Sequence, residues 1–225
     1  MIDIKFIHGD CLEEMPKLQD HSIDMILCDL PYGTTACKWD TIIPFEPLWK
    51  EYKRLIKANG AIVLTASQPF TSALVMSNIK WFKYEWIWEK SMPNNFCQAE
   101  YQPMKYHENV LVFAKGKTIF NPILEERSDV GKDRLKNSGK ILDGSNNTSN
   151  FMDFKRGKGI YRDYSKTKIN PKSVQKINSV PNCNGTKLHP TQKPVALFEY
   201  LIRTYTNEGD TVLDNCAGSG TTAIA

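Results

Sequence analysis

The residues best suited to chemistry in the N-terminal half are Asp29-Leu30-Pro31-Tyr32, at the end of a short apolar run that begins at Ser22. An amino group has two N–H donors and needs acceptors, which Asp29 and the carbonyl of Leu30 or Pro31 can supply. Pro31 stiffens the segment, and Tyr32 can offer a flat face to an aromatic ring. The pattern predicts a site that holds a planar amine, although an ordinary strand-ending turn has the same residue types.

A second candidate site is the glycine-rich segment 214–223, which reads Asp-Asn-Cys-Ala-Gly-Ser-Gly-Thr-Thr-Ala. It follows a predicted strand and is expected to open a helix, where glycines allow close approach of a ligand to free backbone N–H groups. The spacing Gly218-x-Gly220-x-x-Ala223 fits the loose dinucleotide-binding pattern, and the lack of Gly-Lys-Ser/Thr here excludes a Walker-type phosphate loop. By itself the segment is equally compatible with a tight strand-to-helix turn.

The elements that would position these two segments alternate between strands and helices. This alternation predicts an α/β fold with a mostly parallel sheet, whose ligand sites lie at the carboxyl ends of the strands. The two candidate segments should therefore meet along one edge of the sheet. The predicted strands are 22–29, 61–65, 84–89, 108–114 and 210–214, the third and fourth of which could pair, and the predicted helices are 45–57, 70–78 and 194–205.

The composition is that of a chain with a substantial apolar core. It has 225 residues, 41% of them hydrophobic, and a formal net charge of +4. No apolar run approaches the ~20 residues of a membrane span, and no secretory signal follows Met1, so no membrane contact and a cytoplasmic location are expected. The six cysteines are widely spaced without a C-x-x-C pair, which predicts free thiols and no metal site.

The positive charge is concentrated in the middle of the chain. Residues 115–187 contain 16 Lys and Arg against 7 Asp and Glu, whereas the remainder contains 13 against 18. Lys155, Arg156, Lys158 and Arg162 alternate there with aromatic residues, a mixture that can contact phosphates and bases. The segment predicts either a polyanionic partner or a solvated insertion whose charge serves only solubility.

Four motifs in a fixed order resemble the β-group amino DNA methyltransferases, which methylate adenine N6 or cytosine N4. Residues 29–32 resemble the catalytic Asp-Pro-Pro-Tyr of that family, with Leu30 in the place of the usual proline. Residues 7–12 resemble its N-terminal Gly-Asp segment, residues 189–194 the segment before the helix that closes over the cofactor, and residues 214–222 the cofactor loop. Cys216 stands where an aromatic residue commonly packs near the cofactor.

The resemblance implies a Rossmann-like fold that binds S-adenosylmethionine (SAM) and acts on double-stranded DNA, and it is compatible with a homodimer. Catalysis is assigned to Asp29, Leu30, Pro31 and Tyr32, and DNA contact to Lys155, Arg156, Lys158 and Arg162. Residues 1–114 are expected to form a catalytic region, residues 115–187 a basic target-recognition insertion, and residues 188–225 a cofactor-binding region. The residues assigned to SAM are Asp10, Lys193, Asp214, Cys216, Ala217, Gly218, Ser219, Gly220 and Thr221.

The family has a further strand after the cofactor loop, ending in an acid that holds the cofactor ribose, whereas this sequence ends at Ala225. From this difference we expect an incomplete cofactor-binding region and weakened SAM affinity.

The expected reaction is direct transfer of a methyl group to the amino nitrogen of an extruded base, with Asp29 as acceptor and orienter. An aspartate instead of a serine at position 29 favours adenine as the methylated base in this resemblance. Three alternatives remain: an amine methyltransferase that does not act on DNA, a nicotinamide oxidoreductase, and a catalytically inactive DNA-binding remnant. A carbon-5 cytosine enzyme is disfavoured because the sequence has no Pro-Cys dipeptide.

Overall fold

A computed structural model describes residues 3–35, 37–93, 95–130, 168–181, 189 and 191–225. The chain divides into two units, one formed by residues 1–121 and 172–225 and the other by residues 122–171. The eight strands among the described residues are β1 (Ile23–Cys28), β2 (Ile56–Ala66), β3 (Phe82–Glu89), β4 (His107–Phe113), β5 (Glu125–Glu126), β6 (Lys168–Ile169), β7 (Val174–Lys176) and β8 (Val212–Leu213). The α-helices are α1 (Cys11–Glu14), α2 (Phe45–Leu55), α3 (Phe70–Ser77), α4 (Val195–Tyr205) and α5 (Thr221–Ile224), and 3₁₀ turns span Met15–Lys17 and Phe96–Gln98.

The larger unit is built on a six-stranded sheet with the order β7-β3-β4-β2-β1-β8. β1 runs parallel to both β2 and β8, and β3 runs parallel to β7, while β4 is antiparallel to its neighbours β2 and β3. The predicted α/β class with a mostly parallel sheet is confirmed. The predicted pairing of strands 84–89 and 108–114 is also confirmed, with Trp86 opposite Val110.

Both faces of the sheet are covered, which explains why its central strands are continuous apolar runs. All six residues of β1 are buried, and alternate side chains enter opposite layers. Ile26 and Cys28 pack in the layer that contains buried residues of α2 and α3, whereas Met25 and Leu27 pack in the layer that contains those of α4. Burial of these two layers fixes the register of β1 and hence the point at which the chain leaves the sheet.

The end of α2 differs from the sequence prediction. The sequence predicts a helix that extends to residue 57 and is terminated by Asn59-Gly60, but the helix ends at Leu55 and the chain enters β2 directly at Ile56. Gly60 instead lies inside β2, where a Cβ atom would stand 2.6 Å from the carbonyl oxygen of Asp24 in the neighbouring strand. Its role is therefore close approach of two strands and not helix termination.

The predicted insertion 115–187 is described incompletely, because residues 131–167 and 182–188 lie outside the described ranges. In the smaller unit, β5 and β6 pair antiparallel, and the Arg127 guanidinium donates to the carbonyl of Lys168 at 3.3 Å. β7, although inside the predicted insertion, is a strand of the main sheet. The three-region division proposed from the sequence therefore stays a prediction.

None of the helices within the described ranges has the length and apolar character needed to cross a bilayer.

Candidate active site

The two segments singled out from the sequence leave neighbouring strands at the same edge of the sheet. β1 and β8 are parallel, with Met25 opposite Val212 and Ile26 opposite Leu213. Asp29 follows one strand and Asp214 follows the other, so both segments begin at carboxyl ends, where open α/β sheets bind ligands. The structure therefore creates a common edge for residues that are about 185 positions apart in the sequence.

Three side chains converge on one oxygen of Asp29. The Lys193 ammonium lies 2.8 Å from Oδ1 and the Tyr32 hydroxyl lies 2.9 Å from it, and the Thr65 hydroxyl donates to the same atom. Among the described residues, no hydrogen bond is made to Oδ2 of Asp29. This carboxylate is thus held by one oxygen while the other remains able to accept hydrogen bonds.

Tyr32 contacts both an aromatic ring and a cation. Its ring stacks on Phe70 with a centroid distance of 5.2 Å, and the Lys193 ammonium lies 5.2 Å from its centroid. Its hydroxyl is also 3.0 Å from Thr65 Oγ1. Burial, reinforced by the negative charge of Asp29, raises the pKa of Tyr32 well above its ordinary value, so the hydroxyl stays protonated and acts as a donor.

The residues between Asp29 and Tyr32 differ in their surroundings. Leu30 is buried in the core layer that contains residues of α2 and α3, and Pro31 is half-buried. The Leu30 side chain therefore anchors the segment, while the predicted use of its carbonyl, or that of Pro31, as an acceptor stays a prediction.

The chain beyond Tyr32 is fastened by Asp40. Its carboxylate accepts hydrogen bonds from the backbone N–H groups of Gly33, Thr34 and Thr35 at 2.7–2.9 Å. Burial by itself would raise the pKa of Asp40, but these backbone donors outweigh burial and lower it. Gly33 adopts a left-handed backbone with φ 67°, which a residue with a Cβ atom rarely adopts.

The glycine-rich segment is organised by Asp214. One carboxylate oxygen accepts from the Cys216 N–H group at 2.9 Å, and the other accepts from the Thr222 hydroxyl. Gly218 and Gly220 have φ values of 52° and 73°, and a Cβ atom on Gly220 would meet no described atom within 4 Å. The turn thus combines left-handed glycines with open space beside the backbone.

The remaining predicted cofactor residues lie around this turn. Ala217 accepts from the Gly220 N–H group at 2.7 Å, and the hydroxyls of Ser219 and Thr221 are 3.1 Å apart. Asp10 caps α1 by accepting from the Leu12 N–H group at 2.8 Å. Interaction with the Cys216 thiol, together with burial, raises the pKa of the adjacent Cys11.

Lys193 connects the two segments, which was not evident from the sequence. Its carbonyl is 3.5 Å from the Thr221 hydroxyl, whereas its ammonium is at Asp29. The structure thus places the charged end of this predicted cofactor residue beside the predicted catalytic carboxylate. Burial opposes its charge, but Asp29, Tyr32 and Glu108 outweigh burial and raise the pKa of Lys193 well above its ordinary value.

Sequence reasoning missed three residues of this site: Thr65, Glu108 and Lys90. Thr65 is the first polar residue after an apolar run in β2, and that position could have been noticed because β2 neighbours β1. Glu108 and Lys90 could not be recognised in the same way. They reach the site because β4 is antiparallel and its amino end lies at the edge where β1, β2 and β3 end.

The four cations predicted to contact DNA, Lys155, Arg156, Lys158 and Arg162, lie outside the described residues. His107 is the first residue of β4, and His189 packs against Trp39 with a ring-centroid distance of 5.0 Å.

The relatives found by comparison with known proteins are DNA methyltransferases. The family model N6_N4_Mtase, described as "DNA methylase", matches residues 23–225. The type II methyltransferase M.HpaI of Haemophilus parainfluenzae is 29% identical, over 98% of this chain and 65% of that protein. The DNA adenine methyltransferase YhdJ of Escherichia coli K12 is 28% identical, over 96% of this chain and 72% of that protein. The chain therefore spans about two thirds of the length of these relatives, and slightly less for the first.

Solved structures show the same fold. The M1.HpyAVI–SAM complex is similar over 97% of this chain and 85% of its own, with a TM-score of 0.55 at 23% identity. The cytosine-N4-specific PvuII DNA methyltransferase is similar over 96% of this chain and 75% of its own, with a TM-score of 0.60 at 16% identity.

Proposed function

We propose, because this chain belongs to the N6/N4 family of DNA methylases, that it transfers a methyl group from SAM to an exocyclic amino group of a base in double-stranded DNA. The observation that carries the proposal is the unequal use of the two carboxylate oxygens of Asp29. Its Oδ1 atom is bound by Lys193, Tyr32 and Thr65, while Oδ2 makes no hydrogen bond within the described ranges. An acceptor of this kind suits an N–H donor of an amino group.

The glycine-rich segment fits SAM by its own features. The left-handed backbone of Gly218 and Gly220 and the open space at Gly220 would allow a ligand to approach the main chain. The hydroxyls of Ser219 and Thr221 and the carboxylate of Asp10 would supply polar contacts. When bound, SAM supplies an electrophilic methyl group on a sulfonium.

Asp29 acts on the amino group by holding it. With Oδ1 occupied, Oδ2 accepts one N–H hydrogen bond and directs the nitrogen lone pair towards the methyl carbon. The N–C bond forms as the S–C bond breaks, and the nitrogen then loses a proton to Oδ2 or to water. Proton loss follows attack because an aromatic amine is too weak an acid to lose its proton first. Most of the acceleration then comes from orientation and proximity.

Tyr32 is the proposed partner for the base ring. A base taken out of the duplex loses its stacking, and an aromatic side chain can replace some of that interaction. Adenine N6 is proposed over cytosine N4 as the methylated atom, supported by an aspartate instead of a serine at position 29 and by the similarity to YhdJ, a DNA adenine methyltransferase. The basic segment with Lys155, Arg156, Lys158 and Arg162 is proposed to contact the DNA, and a homodimer and a cytoplasmic location remain predictions.

The test is nucleoside analysis of duplex DNA after incubation with the purified protein and SAM labelled in the methyl group. We expect labelled N6-methyladenine with the wild-type chain and a rate at least about 100-fold lower for Asp29→Ala, since the amino group loses its acceptor. Asp29→Asn is the matched variant, because it keeps the shape and removes the charge that pairs with Lys193.

Binding of DNA and of SAM, measured separately by anisotropy and calorimetry, should be retained in both variants. Labelled N4-methylcytosine would support amino methylation of DNA but would show that the methylated base is cytosine and not adenine. Label on carbon 5, or equal rates for Asp29→Ala and wild type, would contradict the proposal.

A further inference from the structure

Four charged side chains form an alternating row that begins at Asp29. The ammonium of Lys193 lies 2.8 Å from Asp29 Oδ1 and 3.2 Å from Glu108 Oε2, and the ammonium of Lys90 lies 3.0 Å from Glu108 Oε1. Lys193 precedes α4, Glu108 is the second residue of β4, and Lys90 follows β3. Through Lys193, which is a motif residue, the row links Asp29 to β3 and β4, which carry none of the motif residues.

The far members of this row are almost excluded from water. The exposed fractions of the side chains are 2% for Lys90, 9% for Glu108 and 8% for Lys193, against 23% for Asp29. Buried charges are costly unless they are paired, and here two anions and two cations balance. Loss of any one member leaves a buried charge without its full set of partners.

Glu108 uses both of its oxygens to arrange its neighbours. Oε1 accepts a hydrogen bond from Lys90 and Oε2 forms an ion pair with Lys193 at 3.2 Å, so the Lys193 ammonium has a carboxylate on each of two sides. Lys193 has several rotatable bonds, and Asp29 alone would not restrict its ammonium to one place. A second carboxylate on the far side supplies that restriction.

We infer that Glu108 is a positioning residue for methyl transfer, which keeps the Lys193 ammonium on Oδ1 of Asp29 and so leaves Oδ2 for the amino group. This inference rests on the proposed function. Glu108 does not touch the substrate in this arrangement, and it acts through Lys193. Without Glu108, the ammonium is free to move between the two oxygens of Asp29, and whenever it occupies Oδ2 the acceptor is lost.

The charged and titratable groups around Lys193 also give the inference a pH signature. Asp29, Tyr32 and Glu108 face Lys193, while Lys90, with Lys105 nearby, faces Glu108. The negative charge of Glu108 contributes to the raised pKa of Lys193. Removal of that charge therefore lowers the pKa of Lys193 and brings its deprotonation to lower pH.

The first experiment compares Glu108→Gln with wild type in single-turnover methylation of duplex DNA from pH 6 to pH 10. We expect the rate at neutral pH to fall roughly 10- to 100-fold, the scale of a small misplacement of reacting groups. In wild type the alkaline limb lies above this range, because the pKa of Lys193 is raised well above its ordinary value. In Glu108→Gln the limb should move to lower pH and reduce the rate at the alkaline end of the range, while KM for DNA and for SAM changes less than about twofold. An unchanged rate and profile would overturn the inference.

Glu51→Gln is the matched control. Glu51 is also a buried glutamate, with a side chain 10% exposed, and it pairs with Arg54 at 2.6 Å on α2. Its loss should lower stability without moving the pH profile. A shift of the alkaline limb in this variant would show that the signature is a general effect of losing a buried ion pair, against the inference.

Two further variants separate positioning from charge balance. Glu108→Asp keeps the charge and should return the alkaline limb towards that of wild type. Glu108→Gln combined with Lys90→Met restores neutrality and should recover thermal stability, yet its methylation rate should remain low because Lys193 still lacks its second carboxylate. Recovery of the wild-type rate in this double variant would overturn the inference, and the double variant decides the matter if Glu108→Gln does not fold.

A measurement that does not depend on methylation activity distinguishes this inference from the proposed function. NMR titration of the lysine side chains should give a lower pKa for Lys193 in Glu108→Gln than in wild type, and an equal value would contradict the link. If the pKa of Lys193 differs between wild type and Glu108→Gln but the wild-type chain transfers no methyl group to DNA, then the proposed function fails while the Glu108–Lys193 coupling stands.

Discussion

At the scale of single residues, the notable feature is the unequal use of the two oxygens of Asp29. An ion pair with Lys193 and two hydroxyl donors all fall on Oδ1. An ionised carboxylate accepts hydrogen bonds and donates none. Asp29 is thus specialised to hold a donor, which agrees with the proposed role of an orienter.

Thr65 provides a prediction at this scale. Thr65→Val replaces the hydroxyl by a methyl group of similar size, so Asp29 loses one donor and Tyr32 loses one partner. We expect the rate of methyl transfer to fall about tenfold, equivalent to about 1.4 kcal/mol, because a hydrogen bond to a charged group contributes on that scale. Single-turnover kinetics at saturating DNA measure the change.

Thr65→Ser keeps the hydroxyl and should retain most of the rate. If Thr65→Val methylates as fast as Thr65→Ser, then the hydroxyl does not help to orient Asp29.

At the scale of elements, the segment between β1 and α2 has little regular structure and relies on Asp40. Three successive backbone N–H groups, those of Gly33, Thr34 and Thr35, donate to this carboxylate. The arrangement resembles capping, in which a side chain satisfies backbone donors that have no partner in a helix or strand. It fixes the path of the chain directly after Tyr32.

Asp40→Asn tests this role through stability and its pH dependence. The amide retains one acceptor oxygen and presents an NH₂ group to backbone donors, so unfolding at pH 7 should become easier by about 2 kcal/mol. Because the pKa of Asp40 is lowered in the folded chain, its contribution is complete above the ordinary carboxyl pKa of about 4 and is lost as the pH falls through the folded value. The difference between wild type and variant should therefore shrink below pH 4.

Denaturant unfolding at pH 7 and pH 3 measures both effects, with the exposed Glu208→Gln as control. A difference that stays constant between these pH values would contradict the assigned role of the Asp40 charge.

At the scale of the whole molecule, the predicted division is between a sheet edge that carries the reaction and a basic segment that contacts DNA. The residues predicted to contact DNA are the four cations Lys155, Arg156, Lys158 and Arg162. Changed together to alanine, they should weaken DNA binding and lower the slope of log K against log salt by about 3 to 4, since each phosphate contact contributes ~0.9. Binding of SAM should not change.

The matched control changes Lys50, Lys53, Lys80 and Lys83 to alanine, which removes the same charge from α2 and from the region where β3 begins. Fluorescence anisotropy over a salt series compares the two sets. Equal losses of slope would indicate a general effect of net charge and contradict the assignment.

Much of this site could be predicted from the sequence because its signals are local. Buried apolar runs predicted β1 and the centres of β2 and β4, and helical spacing predicted α2 and α4, since burial imposes a period on the sequence. Asp29, Tyr32, Gly218 and Gly220 stood out because they follow such runs directly. The boundary of α2 was missed because Gly60 is required by a neighbouring strand, and no local pattern records that neighbour.

The α/β class, the family motifs and the two segments that meet at one edge could all be inferred from the residues alone. The contact of Lys193 with Asp29, and the row that Glu108 and Lys90 complete behind it, became evident only in the folded chain. These contacts depend on the antiparallel direction of β4, which brings the start of that strand to the edge where β1 ends. Strand direction is set by packing of the whole sheet, and no single segment of the sequence encodes it.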